Sequence, residues 1–172
     1  MVFSDSFLSE SIVPVMSFCN KCDKLCLSGF DLMTGNKTSE GPDTCKGKIL
    51  LMDDDEIFCN FIRRTLVRLG YEVEIAGDGS DALEIYRKAV ESGYPFNAVI
   101  VDLVIQGGMG GDEAIKQLLA IDPDANAIVS SGHSLDPHMI NYKEYGFKGA
   151  LSKPYSIEEL THVLNTALRG NE

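Results

Sequence analysis

No apolar run in this 172-residue sequence approaches the roughly 20 residues that a membrane-spanning helix needs. Basic residues are also scarce. The 15 Lys and Arg stand against 26 Asp and Glu, a formal net charge of −11. That balance argues against a broad nucleic-acid or anionic-membrane surface, although it leaves room for a local basic patch. The start, MVFSDSFLSESIVPVM, has neither a basic leader nor the apolar h-region of a secretion signal. A cytoplasmic location is therefore expected, with the five cysteines reduced. Of the three histidines, His133, His138 and His162, none sits in the context of a helical phosphorylatable histidine. His138 and His162 read as ordinary, partly exposed helix residues. Internal repeats and low-complexity segments are missing too. The length allows one domain of ordinary size plus an extra segment, and 44% apolar residues suffice for a sizeable core.

Two textures divide the chain. Residues 1–46 hold Cys19, Cys22, Cys26 and Cys45 and the stretch SGFDLMTGNKTSEGPDTCKG, with no steady hydrophobic period. This segment reads as an extension or linker with one short helix near its start. Its cysteines begin with a CxxC pair, a spacing that zinc sites favour, but the set is irregular, lacks a second CxxC and has no nearby histidine. A plain tail is the leading reading and zinc the minor one.

From residue 47 the pattern becomes regular. KILLM, YEVEIA, NAVIVDL, NAIVSSG and KGALS read as short strands, apolar or alternating. Between and after them, EIFCNFIRRTLVRLG, GSDALEIYRKAVESG, DEAIKQLLAI, DPHMINYKEYG and SIEELTHVLNTAL read as helices. The first carries Phe58, Phe61, Ile62, Leu66 and Leu69 at helical spacing, the second Leu83, Tyr86 and Val90. Ser156 with Glu159 three residues on forms a capping-box pattern. Cys59 falls in the first helix as a core or near-core residue. Five strands alternating with five helices, the strands nearly continuous in apolar character, call for a parallel sheet covered on both faces. The fold class is α/β, doubly wound, over residues 47–170.

In such a sheet, ligands bind outside the carboxyl ends of the strands. The polar residues gather there. Asp53 and Asp54 end the first strand, Asp102 the third, Ser130 and Ser131 the fourth, and Lys153, followed by Pro154, the fifth. One aspartate at a strand end is more often a cap or turn residue than a ligand, and Asp55 is expected to be such a bystander, capping the helix that begins near Ile57 or facing water. A full set at four strand tips is harder to attribute to structure alone. Converging carboxylates raise one another's pKa unless a cation compensates. An oxygen-only cluster with few protein ligands suits Mg²⁺ (or Mn²⁺), and lysine is a compact point charge suited to phosphate oxygens. Together these residues describe a cation site that holds a phosphoryl group on or beside a carboxylate.

The motifs ILLMDDDE, VIVDL, SSGH and LSKPY, in that order and at these separations, resemble the response-regulator receiver domain of two-component signalling, over Lys48 to about Arg169. The resemblance implies a flavodoxin-like, doubly wound five-stranded parallel sheet of order 2-1-3-4-5. It implies that Asp102 is the phosphoacceptor, that Asp54, Asp53, Asp102 and the backbone carbonyl of Val104 bind Mg²⁺, that Ser131 is the switch hydroxyl, with Ser130 the weaker candidate, and that Lys153 contacts the phosphoryl group. Pro154 would follow through a cis peptide. It further implies a sensor histidine kinase or histidine phosphotransfer protein as partner, and a stand-alone receiver or the receiver part of a larger kinase. The chain would catalyse its own aspartyl phosphorylation and dephosphorylation rather than act as a turnover enzyme.

Two positions depart from the family. Ala150 stands three residues before the lysine, where many members carry an aromatic switch residue. Nearby Tyr145, Phe147 and Tyr155 are alternative aromatic residues. The loop after Asp102 has Gln106 in place of the usual proline and continues as GGMGG, one residue longer, resembling receivers of hybrid sensor histidine kinases. His133, two residues past Ser131, and Ala150 are expected to modulate the site. Output is expected through the face made by the fourth helix, fifth strand and fifth helix, which could also support a homodimer. The alternative function is a phosphorylation-independent interaction module. A phosphohydrolase reading is weaker, because its usual second aspartate would stand at Val104.

Overall fold

The structure, a computed structural model, describes the backbone of residues 16–19 and 24–27, and backbone and side chains of residues 45–169. The chain divides into two units, Met1–Thr44 and Cys45–Glu172. In the first unit, β1 (Met16–Cys19) and β2 (Lys24–Leu27) pair antiparallel, Met16 opposite Leu27. The short helix expected near the start falls on residues outside those described.

The second unit alternates strand and helix. In chain order it contains β3 (Gly47–Met52), α1 (Glu56–Arg68), β4 (Tyr71–Ala76), α2 (Gly79–Glu91), β5 (Ala98–Asp102), α3 (Gly111–Ile121), β6 (Ala127–Ser131), α4 (Pro137–Ile140), a 3₁₀ turn (Tyr142–Tyr145), β7 (Gly149–Ser152) and α5 (Ile157–Arg169). The five strands form one sheet of order β4-β3-β5-β6-β7, and every neighbouring pair is parallel. Counting only these strands, the order is 2-1-3-4-5, as the resemblance implies.

Side chains alternate along each strand and so fill two separate cores. Leu50, Met52, Val99, Val101, Ala127 and Val129 pack with α2, α3 and α4. Ile49, Leu51, Ala98, Ile100, Ile128 and Leu151 pack with α1 and α5. All residues of β5 and β6 are buried, as central strands covered on both faces must be.

Helix starts follow local chemistry. Asp55 caps α1, its carboxylate accepting from the backbone N–H groups of Ile57 and Phe58. Ser156 and Glu159 exchange the two hydrogen bonds of a capping box ahead of α5. The buried face of α1 is centred on Cys59, Ile62, Thr65 and Leu66, which leaves Phe61 55% exposed rather than in the core. Helical spacing from Phe58 admits Phe61, but the residues that face the sheet set the stripe one position away. Val90 lies on the rim of α2 for the same reason, while Leu83 and Tyr86 are buried.

The region between β6 and β7 is a single α-turn followed by the 3₁₀ turn, with Pro137 in the first turn of α4. His138 is a partly exposed helix residue, as expected, but it is bonded on both ring nitrogens. Its Nδ1 lies 2.9 Å from Asp136, the cap of α4, and its Nε2 lies 2.8 Å from Asp112 in the first turn of α3. The Tyr145 ring covers its face at 4.0 Å. Carboxylates only accept, so both contacts are hydrogen bonds when the imidazole carries both protons. The carboxyl of Asp112 is held below the usual carboxylate range, first by Lys116 and then by His138. That of Asp136 is held low first by the backbone N–H of His138 and then by its ring.

Ile100→Ala, at a fully buried position, should cost about 2–5 kcal/mol in urea unfolding. Ile57→Ala, at an 85% exposed position, should change stability by less than about 0.5 kcal/mol; similar effects of the two would contradict this placement. A carboxyl with a depressed native pKa contributes stability above its unfolded value, near about 3.9, and that contribution disappears as pH falls through the native value. Carboxyl-carbon NMR should therefore find Asp112 and Asp136 titrating low. In His138→Ala both should move up but stop short of ordinary values, because Lys116 and the residue-138 amide remain. Unmoved titrations would rule out the ring contacts.

Candidate functional site

Strand order reverses between β3 and β5, the place where open α/β sheets bind ligands, outside the carboxyl ends of the strands. Asp53 follows β3 directly and Asp102 is the last residue of β5. Continuing the strand alternation past Leu51, Ile100, Ile128 and Leu151 puts Asp53, Asp102, Ser130 and Lys153 on the α1/α5 side of the sheet. Ser131 takes the other side. This shared parity is why a lysine two strands from Asp102 and three from Asp53 can reach both carboxylates.

Lys153 Nζ lies 2.5 Å from Asp53 Oδ2 and 2.8 Å from Asp102 Oδ2. The Asp53 side chain is 1% exposed, Asp102 10% and Lys153 19%. The Phe58 ring lies under the ammonium at 4.4 Å, and Tyr155 meets Phe58 edge-on. Burial raises the Asp53 carboxyl above its ordinary value, and the Lys153 bond, the Asp55 amide and the Lys153 charge pull it back only in part. For Lys153 burial is the largest single influence and favours the neutral amine, yet Asp102 and Asp53 together hold its pKa above the ordinary lysine value. The Lys153–Pro154 peptide is cis. Beneath the cluster, burial and then the Asp53 charge push the Cys59 thiol up to about 12, so it is a protonated core group.

Asp54 is the exposed member of the acidic set. Its Oδ2 accepts the backbone N–H of Gln106 at 3.1 Å. Asp53, Asp54 and Asp102 each offer an oxygen, and these atoms all lie within 4.8 Å of one another. Three hard oxygen donors with one open, solvent-facing member fit a small divalent cation that keeps several of its waters. Val104, 55% exposed, lies in the loop that leaves β5, and its N–H reaches Asp102 Oδ1 at 3.3 Å.

Ser130 and Ser131 are both buried. Ser131 Oγ accepts the His133 N–H at 3.1 Å, which ties the hydroxyl to the loop before α4. Among the described residues, Ser130 Oγ and Tyr155 OH are buried without a hydrogen-bond partner, and burial raises the Tyr155 phenol. Ala150 is half-buried on β7. With Ser152, Tyr155, Glu158, His162 and Val163 it lines an open cleft of about 350 Å³. Of the other aromatic residues near Ala150 in sequence, Phe147 is core and Tyr145 covers His138. Cys45 Sγ contacts the Gly47 carbonyl at 3.5 Å, whereas the side chains of Cys19, Cys22 and Cys26 lie outside those described.

Four features of this region are not readable from the strand-tip pattern: the Gln106–Asp54 bond, the His138 bridge, the buried hydroxyls of Ser130 and Tyr155, and the seating of the glycine loop on α2. The first depends on a backbone amide and the others on contacts between distant segments, so residue type alone carries no signal for them.

Known proteins share these elements. Residues 49–165 match the family model of the response regulator receiver domain. The response regulator MprA of Mycolicibacterium vanbaalenii is 31% identical over 122 residues, which are 71% of this chain and 50% of that protein. The chain spans about half the length of the curated relatives it matches. Among solved structures, a receiver domain protein from Clostridium thermocellum superposes with a TM-score of 0.64 at 27% identity, covering 73% of this chain and 96% of that one. A response regulator from Burkholderia pseudomallei, solved with a phosphorylated aspartic acid and a calcium ion, superposes with a TM-score of 0.61 at 26% identity, over 73% and 70% of the two chains. The fold, the strand-end cluster and the sequence match together make this chain a member of the response regulator receiver domain family.

Proposed function

We propose that residues 47–170 form the phosphoacceptor of a two-component phosphorelay, with residues 1–46 as an extension. On this reading Asp102 takes a phosphoryl group from a phosphohistidine of a sensor histidine kinase or histidine phosphotransfer protein. The observation that carries the proposal is the ammonium of Lys153 held between Asp53 and Asp102 at the strand ends, beside a third carboxylate. Three carboxylates beside one ammonium leave an excess of negative charge, which a bound cation would offset. The phosphorylated aspartic acid in the Burkholderia relative supports the same chemistry.

Asp53, Asp54, Asp102 and the Val104 carbonyl would hold Mg²⁺, which when bound offsets charge between the entering carboxylate and the phosphoryl oxygens. The Asp102 carboxylate attacks phosphorus in line with the donor imidazole nitrogen. The new O–P bond forms as the P–N bond breaks, and the imidazole keeps the electron pair. Lys153 turns its charge from Asp102 toward a phosphoryl oxygen. Ser131 donates its hydroxyl to another, drawing on the His133 backbone it already holds. That movement shifts the loop before α4 and alters the face formed by α4, β7 and α5, the proposed surface for a partner or a second copy. Hydrolysis of the acyl phosphate resets the site. Ala150 has no ring to swing inward, so the change passes through the loop, and this position favours the interaction-module alternative if phosphorylation fails.

Incubation with Mg²⁺ and acetyl phosphate, followed by intact mass spectrometry, should show one added phosphoryl group. Asp102→Asn should show none, and Lys153→Ala should lose at least about 100-fold in rate. An unmodified wild-type chain at every Mg²⁺ concentration would leave the interaction module as the function.

A further inference from the structure

The loop from Val104 to Gly110 is braced against an element with no part in the acidic cluster. Gly79, the first residue of α2, donates its N–H to the Met109 carbonyl at 2.9 Å. A Cβ on Gly79 would come within 2.8 Å of Met109 Cγ and Sδ, so the methionine occupies the space that glycine leaves. Gln117 of α3 approaches the same sulfur at 3.9 Å. On the other side of the contact, a Cβ on Gly108 would fall 2.7 Å from the Cβ and Oδ2 of Asp78, the cap of α2. Gly107, just before them, takes φ +77°. One residue earlier the loop donates the Gln106 N–H to Asp54, and before that it contains Val104.

We infer that this glycine-rich loop, seated on the start of α2, positions Asp54 and Val104 for the cation and thereby sets the preference for Mg²⁺ over Ca²⁺. The inference rests on the cation site proposed above. Its physical basis is rigidity. Mg²⁺ demands near-ideal octahedral geometry at about 2.0–2.1 Å, whereas Ca²⁺ accepts six to eight oxygens at about 2.3–2.6 Å in looser arrangements. A brace that fixes ligands therefore favours the smaller ion, and slackening it penalises that ion more. Asp78, Gly79, Gly108 and Met109 are thus positioning residues. They touch neither the cation nor the acceptor.

The test is isothermal titration with MgCl₂ and, separately, CaCl₂, on the wild-type chain and on Gly108→Ala, Met109→Ala and Asp54→Asn. Gly77→Ala serves as control, since a Cβ there meets nothing within 4 Å. Gly108→Ala should weaken Mg²⁺ binding about 10-fold or more, the range of outer residues that orient metal ligands, while changing Ca²⁺ binding less than about threefold. Met109→Ala acts from the other side of the same contact and should lower the Mg²⁺/Ca²⁺ ratio in the same direction. It carries the test if Gly108→Ala does not fold. Asp54→Asn should weaken both ions, and Gly77→Ala neither. Wild-type binding with an unchanged ratio in the folded loop variants would overturn the inference alone. Absence of Mg²⁺ binding by the wild-type chain would overturn the cation site and the inference with it.

Discussion

Lys153 reaches across two strands to place one ammonium between the carboxylates of Asp53 and Asp102, and the site depends on that bridge. Two nearly buried carboxylates at neighbouring strand ends repel each other where water screens poorly. Burial above all raises the Asp53 carboxyl, and the Lys153 ammonium pulls it back only in part. Three carboxylates therefore stand beside a single ammonium, an excess of negative charge at the strand ends.

The rest of the fold holds this arrangement in place. Parallel strands with period-two alternation bring Asp53, Asp102 and Lys153 to one side of the sheet and Ser131 to the other. The two sides lead to different helices. The loop after Asp102 rests on α2 and continues into α3, whereas the loop after Ser131 leads to α4. His138 closes the circuit by joining α4 to Asp112 of α3. The loop after Asp102 is thus tethered to α2, and α4, a single turn, is tied to α3.

Much of this is legible in the sequence because it depends on periodicity and strand ends. Short apolar strands, their alternation with helices, and the positions of Asp53, Asp54, Asp102, Ser131 and Lys153 all follow from residue type and spacing. Asp55 as a cap and the Ser156–Glu159 box follow from local side-chain chemistry. Phe61 is misplaced by spacing alone, because a helical stripe has a centre that only packing against the sheet selects. His138 reads as an ordinary, partly exposed helix residue, since its second carboxylate is 26 positions away and meets it only after α3 and α4 are packed. The GGMGG stretch reads as a departure in length, and its contacts with Asp78 and Gly79 are visible only in the structure.

The account's central claim is that three carboxylates from two strand ends share one divalent cation. Mn²⁺, which is paramagnetic and takes oxygen ligands as Mg²⁺ does, tests it directly through loss of amide signals in NMR. Substoichiometric Mn²⁺ should erase the amides of residues 53–55 and 102–106 while sparing Tyr94 and Asn97 at the opposite end of the sheet, and excess Mg²⁺ should restore them. Broadening spread over the acidic surface, or centred away from Asp54 and Asp102, would contradict the claim.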